Sequence, residues 1–151
     1  MNVGKICQRQ AITIGAGDPL TAAARLMREH HIGYLVVVAA EPQGGAGGAV
    51  TKPIGVLTDR DIVVAVVAKE ADPRALTAGD IMNMQPAVVL EGDSLDNAVQ
   101  LMRRQGIRRL PVVGGTGELV GVLSLDDVID ALADEIVNVA GAIRNLSLIH
   151  I

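Results

Sequence analysis

The sequence predicts an α/β (α+β) chain made of two pseudo-symmetric β-α-β-β-α repeats. Three observations carry that expectation. The 151 residues align with themselves at a nearly constant shift, short apolar runs alternate with stretches of helical period, and half the residues are apolar. A shift of 75 places Leu20, Ala23, Leu26, Met27 and Arg28 on Leu95, Ala98, Leu101, Met102 and Arg103. It also pairs Gly4 with Gly79, Ile6 with Ile81, Ile32 with Ile107, Leu35 with Leu110 and Val37 with Val112. Further on the shift becomes 66, joining Gly55-Val56-Leu57 to Gly121-Val122-Leu123 and Asp61 to Asp127. The nine-residue difference (75 − 66) is an insertion in the first copy. It falls within 39–52, whose Gly-rich composition reads as a flexible loop.

Each copy opens with a short β-rich stretch, Ala11 to Ile14 and Ala87 to Leu90. An amphipathic helix follows. In copy one it spans Pro19 to His30, with Leu20, Ala23, Ala24 and Met27 on one face, Asp18 as N-cap and Pro19 at the first helical position. In copy two Asp93 or Ser94 caps a helix bearing Leu95, Ala98, Val99 and Met102. Tyr34 to Val38 and Arg109 to Val113 read as buried strands, and Ile54 to Leu57 and Leu119 to Leu123 as the strands after them. Closing helices run from Asp59 to about Lys69 and from Leu125 onward. The domain division is therefore a first repeat over 1–69, a linker over 70–77, a second repeat over 78–140 and an extension over 141–151. The last helix keeps helical spacing through Leu125, Val128, Ile129, Leu132, Ile136, Val139 and Ile143, which fits either a longer core helix or a subunit interface. The tail from Asn145 to Ile151 has no clear period and reads as an interface arm or a non-native remnant.

Composition narrows the function. A net charge of −4 gives no general attraction to nucleic acid or anionic lipid. With no Trp or Phe and a single Tyr, base-stacking platforms are missing. The longest apolar run, Ile32 to Ala40, is too short to span a bilayer, and Arg9 and Asp18 interrupt any signal-peptide core. The expectation is a soluble cytoplasmic protein that binds neither nucleic acid nor membrane. Cys7 lacks a basic neighbourhood and reads as buried packing, while His30 and His31 diverge on a helix and cannot chelate one metal together. No nucleophile–base pair, metal set or phosphate-loop lysine is visible, so an enzyme is not expected.

The repeated polar pattern is more informative. Gly55-Val56-Leu57-Thr58-Asp59-Arg60-Asp61 and Gly121-Val122-Leu123-Ser124-Leu125-Asp126-Asp127 both reduce to Gly-x-x-(Ser/Thr)-x-x-Asp at a strand-to-helix junction. Spacing admits two readings. One is a helix start, with Thr58 or Ser124 as N-cap and Asp61 or Asp127 at N3. The other is a corner that holds a ribose phosphate, the carboxylate accepting from vicinal hydroxyls.

Two tandem units with this pattern, together with Arg108-Arg109-Leu110-Pro111-Val112-Val113, resemble a cystathionine-β-synthase (CBS) domain pair, or Bateman module, over roughly Val3 to Val139. The resemblance implies two repeats packed as a pair, dimerising into a flat disc, that bind an adenine nucleotide and regulate another polypeptide without catalysing a reaction. It carries the family's hydroxyl onto Thr58 and Ser124 and its ribose-binding Asp onto Asp61 and Asp127. It also places backbone at Ile12 and Ala87 beside the adenine. Thr13 matches a strand Thr often near the nucleotide, replaced by Val88 in copy two. Arg108 and Arg109 match a basic pair before the strand that holds Pro111. Gly33, Tyr34 and Val36 stand at the corresponding positions of copy one, so the two clefts are unequal. The expected site joins Thr13, Thr58 and Asp61, with Arg108 or Arg109 reaching across. AMP is the ligand expected first, with no required cofactor and a homodimer acting on an unidentified regulated protein. The competing readings are a structural dimerisation module with a vestigial site, an S-adenosylmethionine-type ligand, and nucleic-acid binding through Arg103, Arg104, Arg108 and Arg109.

Overall fold

A computed structural model describes residues 1–39 and 51–149. Most of the Gly-rich insertion read at 39–52 therefore lies outside the described residues, as do His150 and Ile151. The first half contains α1 (Val3–Ile6), β1 (Thr13–Gly15), α2 (Leu20–His30), β2 (Tyr34–Val38), β3 (Pro53–Thr58) and α3 (Asp59–Ile62). The second contains α4 (Ala78–Ile81), β4 (Asn83–Met84), β5 (Val89–Leu90), α5 (Leu95–Gln105), β6 (Arg109–Val113), β7 (Leu119–Ser124) and α6 (Leu125–Ile149). One sheet has the order β1-β2-β3-β4 and the other β5-β6-β7. In each, a parallel pair meets an antiparallel one, and both sheets shift register at the same place, between Val37 and Val38 and between Val112 and Val113.

Strand alternation divides each sheet into two faces. Ile14, Leu35, Val37 and Leu57 point into a first core with Leu20, Ala23 and Met27 of α2. Val89, Leu110, Val112 and Leu123 point into a second, with Ala98 and Met102 of α5 and Val128 of α6. The helical stripe read from the sequence is the face that α5 buries; on α2 it holds for Leu20, Ala23 and Met27, but Ala24 is exposed and Ala22 and Leu26 pack against the core instead.

The cores are stitched by exchanged segments. Val3 of α1 is buried in the second core, and Ala78 of α4 in the first. Gln8 exchanges two backbone hydrogen bonds of 2.9 Å with Val122 of β7, much as β4 pairs with Gly55 and Val56 of β3. The glycine of each repeated motif makes this crossing possible. A Cβ at Gly121 would stand 2.3 Å from the Gln8 carbonyl oxygen, and one at Gly55 would stand 2.5 Å from the Met82 sulfur. Gly121→Ala is therefore expected to destabilise the fold by about 1–3 kcal/mol, because a rigid carbonyl must move. Urea unfolding checks it, and an unchanged midpoint would contradict the close approach.

Two local expectations need correction. Asp18 is not the cap of α2, because its carboxylate accepts from the Gly15 N–H at 2.9 Å and closes the preceding turn. The N-cap is Pro19, and the Leu20 N–H is satisfied by the Leu76 carbonyl at 2.9 Å. In copy two Asp93 closes the same turn on Leu90, and Ser94 caps α5 by accepting from the Asn97 N–H. The first closing helix is also not continuous α-helix to Lys69. After α3 it becomes a π-turn over Val63–Val67, where four Val residues restrict side-chain rotamers against the preceding turn. The second closing helix instead runs unbroken to Ile149, so the part of the tail within the described residues is helical.

Candidate functional site

The faces turned away from the cores oppose each other. Tyr34, Val36, Val56 and Thr58 alternate with the core residues of the first sheet, and Arg109, Pro111, Val122 and Ser124 with those of the second. Val36 and Pro111 are fully buried yet belong to neither core cluster. A cleft of about 790 Å³ opens along this seam. Its walls include Tyr34, Thr58, Asp59 and Arg60 from the first sheet's end, Asn83 to Ala87 from the connection, and Gln105 to Arg109 with Pro111 from the second.

Of the residues expected at the site, this cleft gathers Thr58, Ala87, Arg108, Arg109 and Pro111. Thr13 is not among its walls; it lies on β1 aligned with Val36, and Ile12 immediately precedes it. Ser124 lines a smaller hollow of about 140 Å³ with Arg108, Arg109, Leu125 and Asp126. The two arginines thus stand between two corners. Pseudo-symmetry explains the grouping: the exchanged segments seat the approach to β5, not the approach to β1, against the Thr58 corner.

Both motif corners form the reciprocal cap that spacing allowed. Thr58 Oγ1 accepts from the Asp61 N–H at 3.1 Å while Asp61 Oδ2 accepts from the Thr58 N–H at 2.9 Å. Ser124 and Asp127 repeat it with both distances at 3.1 Å. Each carboxylate also receives a side-chain amide from the crossing segment: Asn83 Nδ2 to Asp61 at 3.1 Å, and Gln8 Nε2 to Asp127 at 3.2 Å. Sequence reasoning missed these amides, although the shift of 75 aligns Gln8 with Asn83. The corners differ in what remains. Both bonds to Asp61 fall on Oδ2, so Oδ1 takes no protein hydrogen bond among the described residues, whereas Gln8 occupies Oδ1 of Asp127. Capping uses only a lone pair of Thr58 Oγ1, leaving its proton free to donate.

The backbone is unequal as well. The Val36 N–H donates to the Ile12 carbonyl at 3.3 Å. Pro111 occupies the corresponding place in copy two and has no N–H, so it cannot engage the Ala87 carbonyl in the same way. Among the described residues the Ala87 carbonyl, on the cleft wall, accepts no backbone hydrogen bond from a loop or turn.

Tyr34 and Arg109 are related by the shift of 75 and meet across the seam, the guanidinium carbon 5.8 Å from the ring centroid. The Tyr34 hydroxyl is buried without a hydrogen-bond partner among the described residues. Burial pushes its phenol well above the ordinary range despite Arg109, so it stays protonated. The sequence marks Tyr34 as the start of a buried strand and a departure from the family's pattern, not as a site residue; its place at the cleft comes from the packing of the sheets. At Gly33, another departure, a Cβ would stand 2.5 Å from an Asp59 carboxylate oxygen, at the end of an exposed side chain that can move aside.

Elsewhere the chemistry is sparse. Burial raises the Cys7 thiol above its ordinary value, and Cys7 packs on the second core. His30 and His31 are exposed at the end of α2, with His31 in the left-handed conformation of the C-cap. Among the described residues no group of three or more His, Cys, Asp or Glu is gathered to hold a metal ion, and no helix is long and apolar enough to cross a membrane.

Comparison with known proteins agrees with this architecture. The family model described as "CBS domain" matches residues 3–68 and 78–134. Protein MK0525 of Methanopyrus kandleri is 36% identical over 130 residues, which are 85% of this chain and 61% of that protein. Hypoxic response protein 1 of Mycobacterium tuberculosis is 34% identical over 128 residues, covering 85% of this chain and 78% of that protein. The chain thus spans somewhat under two thirds of the first relative and over three quarters of the second. Among solved structures, Hypoxic Response Protein I with two coordinated zinc ions superposes with a TM-score of 0.73 at 30% identity, covering 86% of this chain and 98% of that one. The CBS domain protein PAE2072 from Pyrobaculum aerophilum, complexed with AMP, gives a TM-score of 0.72 at 30% identity and covers 84% and 89%. Two matched segments, two sheets with the same register shift and a cleft between them lead to one conclusion: the chain belongs to the CBS domain family, as a tandem pair.

Proposed function

We propose that the chain is a non-catalytic regulatory module of the cytoplasm. It binds an adenine ribonucleotide, AMP first, in the cleft between its sheets, and signals to a partner protein as part of a homodimer. The repeats over 1–69 and 78–140, joined by 70–77, would form the two walls. The observation that carries this reading is the composition of the larger cleft: Arg60, Arg108 and Arg109 against one acid, Asp59, beside the free hydroxyl proton of Thr58. Such a surface suits a phosphate. The open Oδ1 of Asp61, one turn behind, suits a ribose hydroxyl, and the Ala87 carbonyl suits an adenine amino group. AMP bound to a 30%-identical pair supports the ligand class. Ser124, Asp127, Ile12 and Thr13 would belong to the second, less open corner.

Signalling requires the ligand to bind two states of the module unequally. Isothermal titration with AMP and 2′-deoxy-AMP tests the reading. The deoxy compound is expected to bind more weakly by about 1–3 kcal/mol, the worth of a charge-assisted hydrogen bond. Equal affinity would remove Asp61 from ribose recognition. A second reading, a structural module with a vestigial site, is favoured by the reciprocal caps, which account for both motifs without a ligand. It would be established by no thermal shift with AMP, ADP, ATP or S-adenosylmethionine.

A further inference from the structure

Among the described residues, the second half of α6 leaves an apolar face exposed. Val128 is 2% exposed and ends the helix's contribution to the core, whereas the next residue, Ile129, is 55% exposed. Beyond it Leu132, Ile136, Val139 and Ile143 are each more than half exposed, with Ile136 at 69%. Their spacing is 3, 4, 3, 4 from Ile129 onward, an average of 3.5 residues, with the equally exposed Val137 lying beside the stripe. A stripe of that period stays in line only along another helix that coils with it. Ala133 and Ala140 flank the stripe on one side, and Ala142 flanks it on the other with Glu135 one heptad earlier. The projecting segment also needs support. Gly141 lowers the intrinsic helix propensity of this segment, and isolated helices of this length are marginal in water.

We infer that this stripe is the seam of an antiparallel two-helix coiled coil formed with a second copy of the chain. Charge decides the orientation. Asp126, Asp127, Asp130, Asp134 and Glu135 crowd the first half of α6, and Arg144 is the one cation between Leu125 and Ile149. A parallel pair would lay the two acidic halves side by side. An antiparallel pair sets Arg144 of each copy near the acidic half of the other and opposes the two helix dipoles favourably. In that orientation Leu132 faces Ile143 and Ile136 faces Val139, four layers of large against large. Ile129 extends the contact at each end, where the folded bodies stand on opposite sides. The contact stands independently of the nucleotide reading, and most of it lies beyond the residues matched to the family.

Light scattering and sedimentation of the full chain test it. The parent is expected to be an even-numbered assembly, and the double variant Ile136→Glu, Ile143→Glu is expected to have half its mass with unchanged AMP binding. Both positions are exposed in the single chain, so the fold should survive, and circular dichroism of the core helices checks that. Orientation is read in a Cys7→Ser background. Leu132→Cys and Ile143→Cys chains should form a mixed disulfide when combined and no disulfide dimer when oxidised separately. A monomeric parent, or an assembly that survives the double variant and dissolves instead with Val64→Glu at the exposed π-turn, would overturn the proposal. Disulfide dimers of Leu132→Cys alone would overturn the antiparallel orientation.

Discussion

Asp61→Ala is expected to weaken AMP binding by about 10- to 100-fold, which corresponds to roughly 1.4–2.7 kcal/mol. Asp127→Ala should change it several-fold at most. The asymmetry follows from hydrogen-bond occupancy. Neither carboxylate is on a cavity wall, but Asp61 keeps Oδ1 open one turn behind Thr58, which lines the cleft of about 790 Å³, while Asp127 has both oxygens engaged. Asp61→Ala also removes half of a capping box, with a stability cost of about 1 kcal/mol. Affinity must therefore be measured where the variant is fully folded. Asp61→Asn separates the roles, since its amide oxygen still caps Thr58 while the charge that favours ribose hydroxyls is gone. Titration calorimetry in parallel with thermal unfolding reads both quantities. The site choice fails if Asp127→Ala abolishes binding and Asp61→Ala leaves it intact.

Leu57→Ala should destabilise the fold by about 2–5 kcal/mol, the usual range for a leucine truncated in a core that cannot collapse around the gap. Leu57 is completely buried on β3, in register with Leu35 of β2 and within the first core. For a chain of this length the melting temperature should fall by roughly 10 °C. Leu123→Ala in the second core should do much the same. The more telling expectation is the shape of the transition. Val3 of the first half is buried in the second core and Ala78 of the second half in the first, so neither half can unfold and leave the other's core intact. Scanning calorimetry should give one transition in the parent and in both variants. Two separated transitions would show that the exchanged segments do not couple the halves.

The pattern of apolar residues was enough to read the duplicated fold. β2 and β6 have the expected bounds, and α2 and α5 the expected faces apart from the exposed Ala24, because burial on one side imposes its period directly on the residues. The reciprocal caps were equally legible, since a cap is made within four consecutive residues. Short elements were not. α1, α4 and β4 each have four residues or fewer, too few to show a period, and they exist only because they dock on the opposite half. The π-turn replaced a helix that the alignment with copy two suggested, as local Val crowding outweighed the repeat.

The candidate site divides along the same line. Thr58, Asp61, Ser124 and Asp127 stand out in the chain because their spacing is local and doubled. Which of them share a cleft, and with what, depended on contacts between residues dozens of positions apart. Asn83 reaches Asp61, Tyr34 lies under Arg109, and Ala87 rather than Thr13 joins Thr58. Sequence alone established the two copies and their polar corners, because short-range spacing and hydrophobic period are written in neighbouring residues. Only tertiary structure made the corners unequal, because crossing the halves decides which backbone and which amide arrive at each carboxylate.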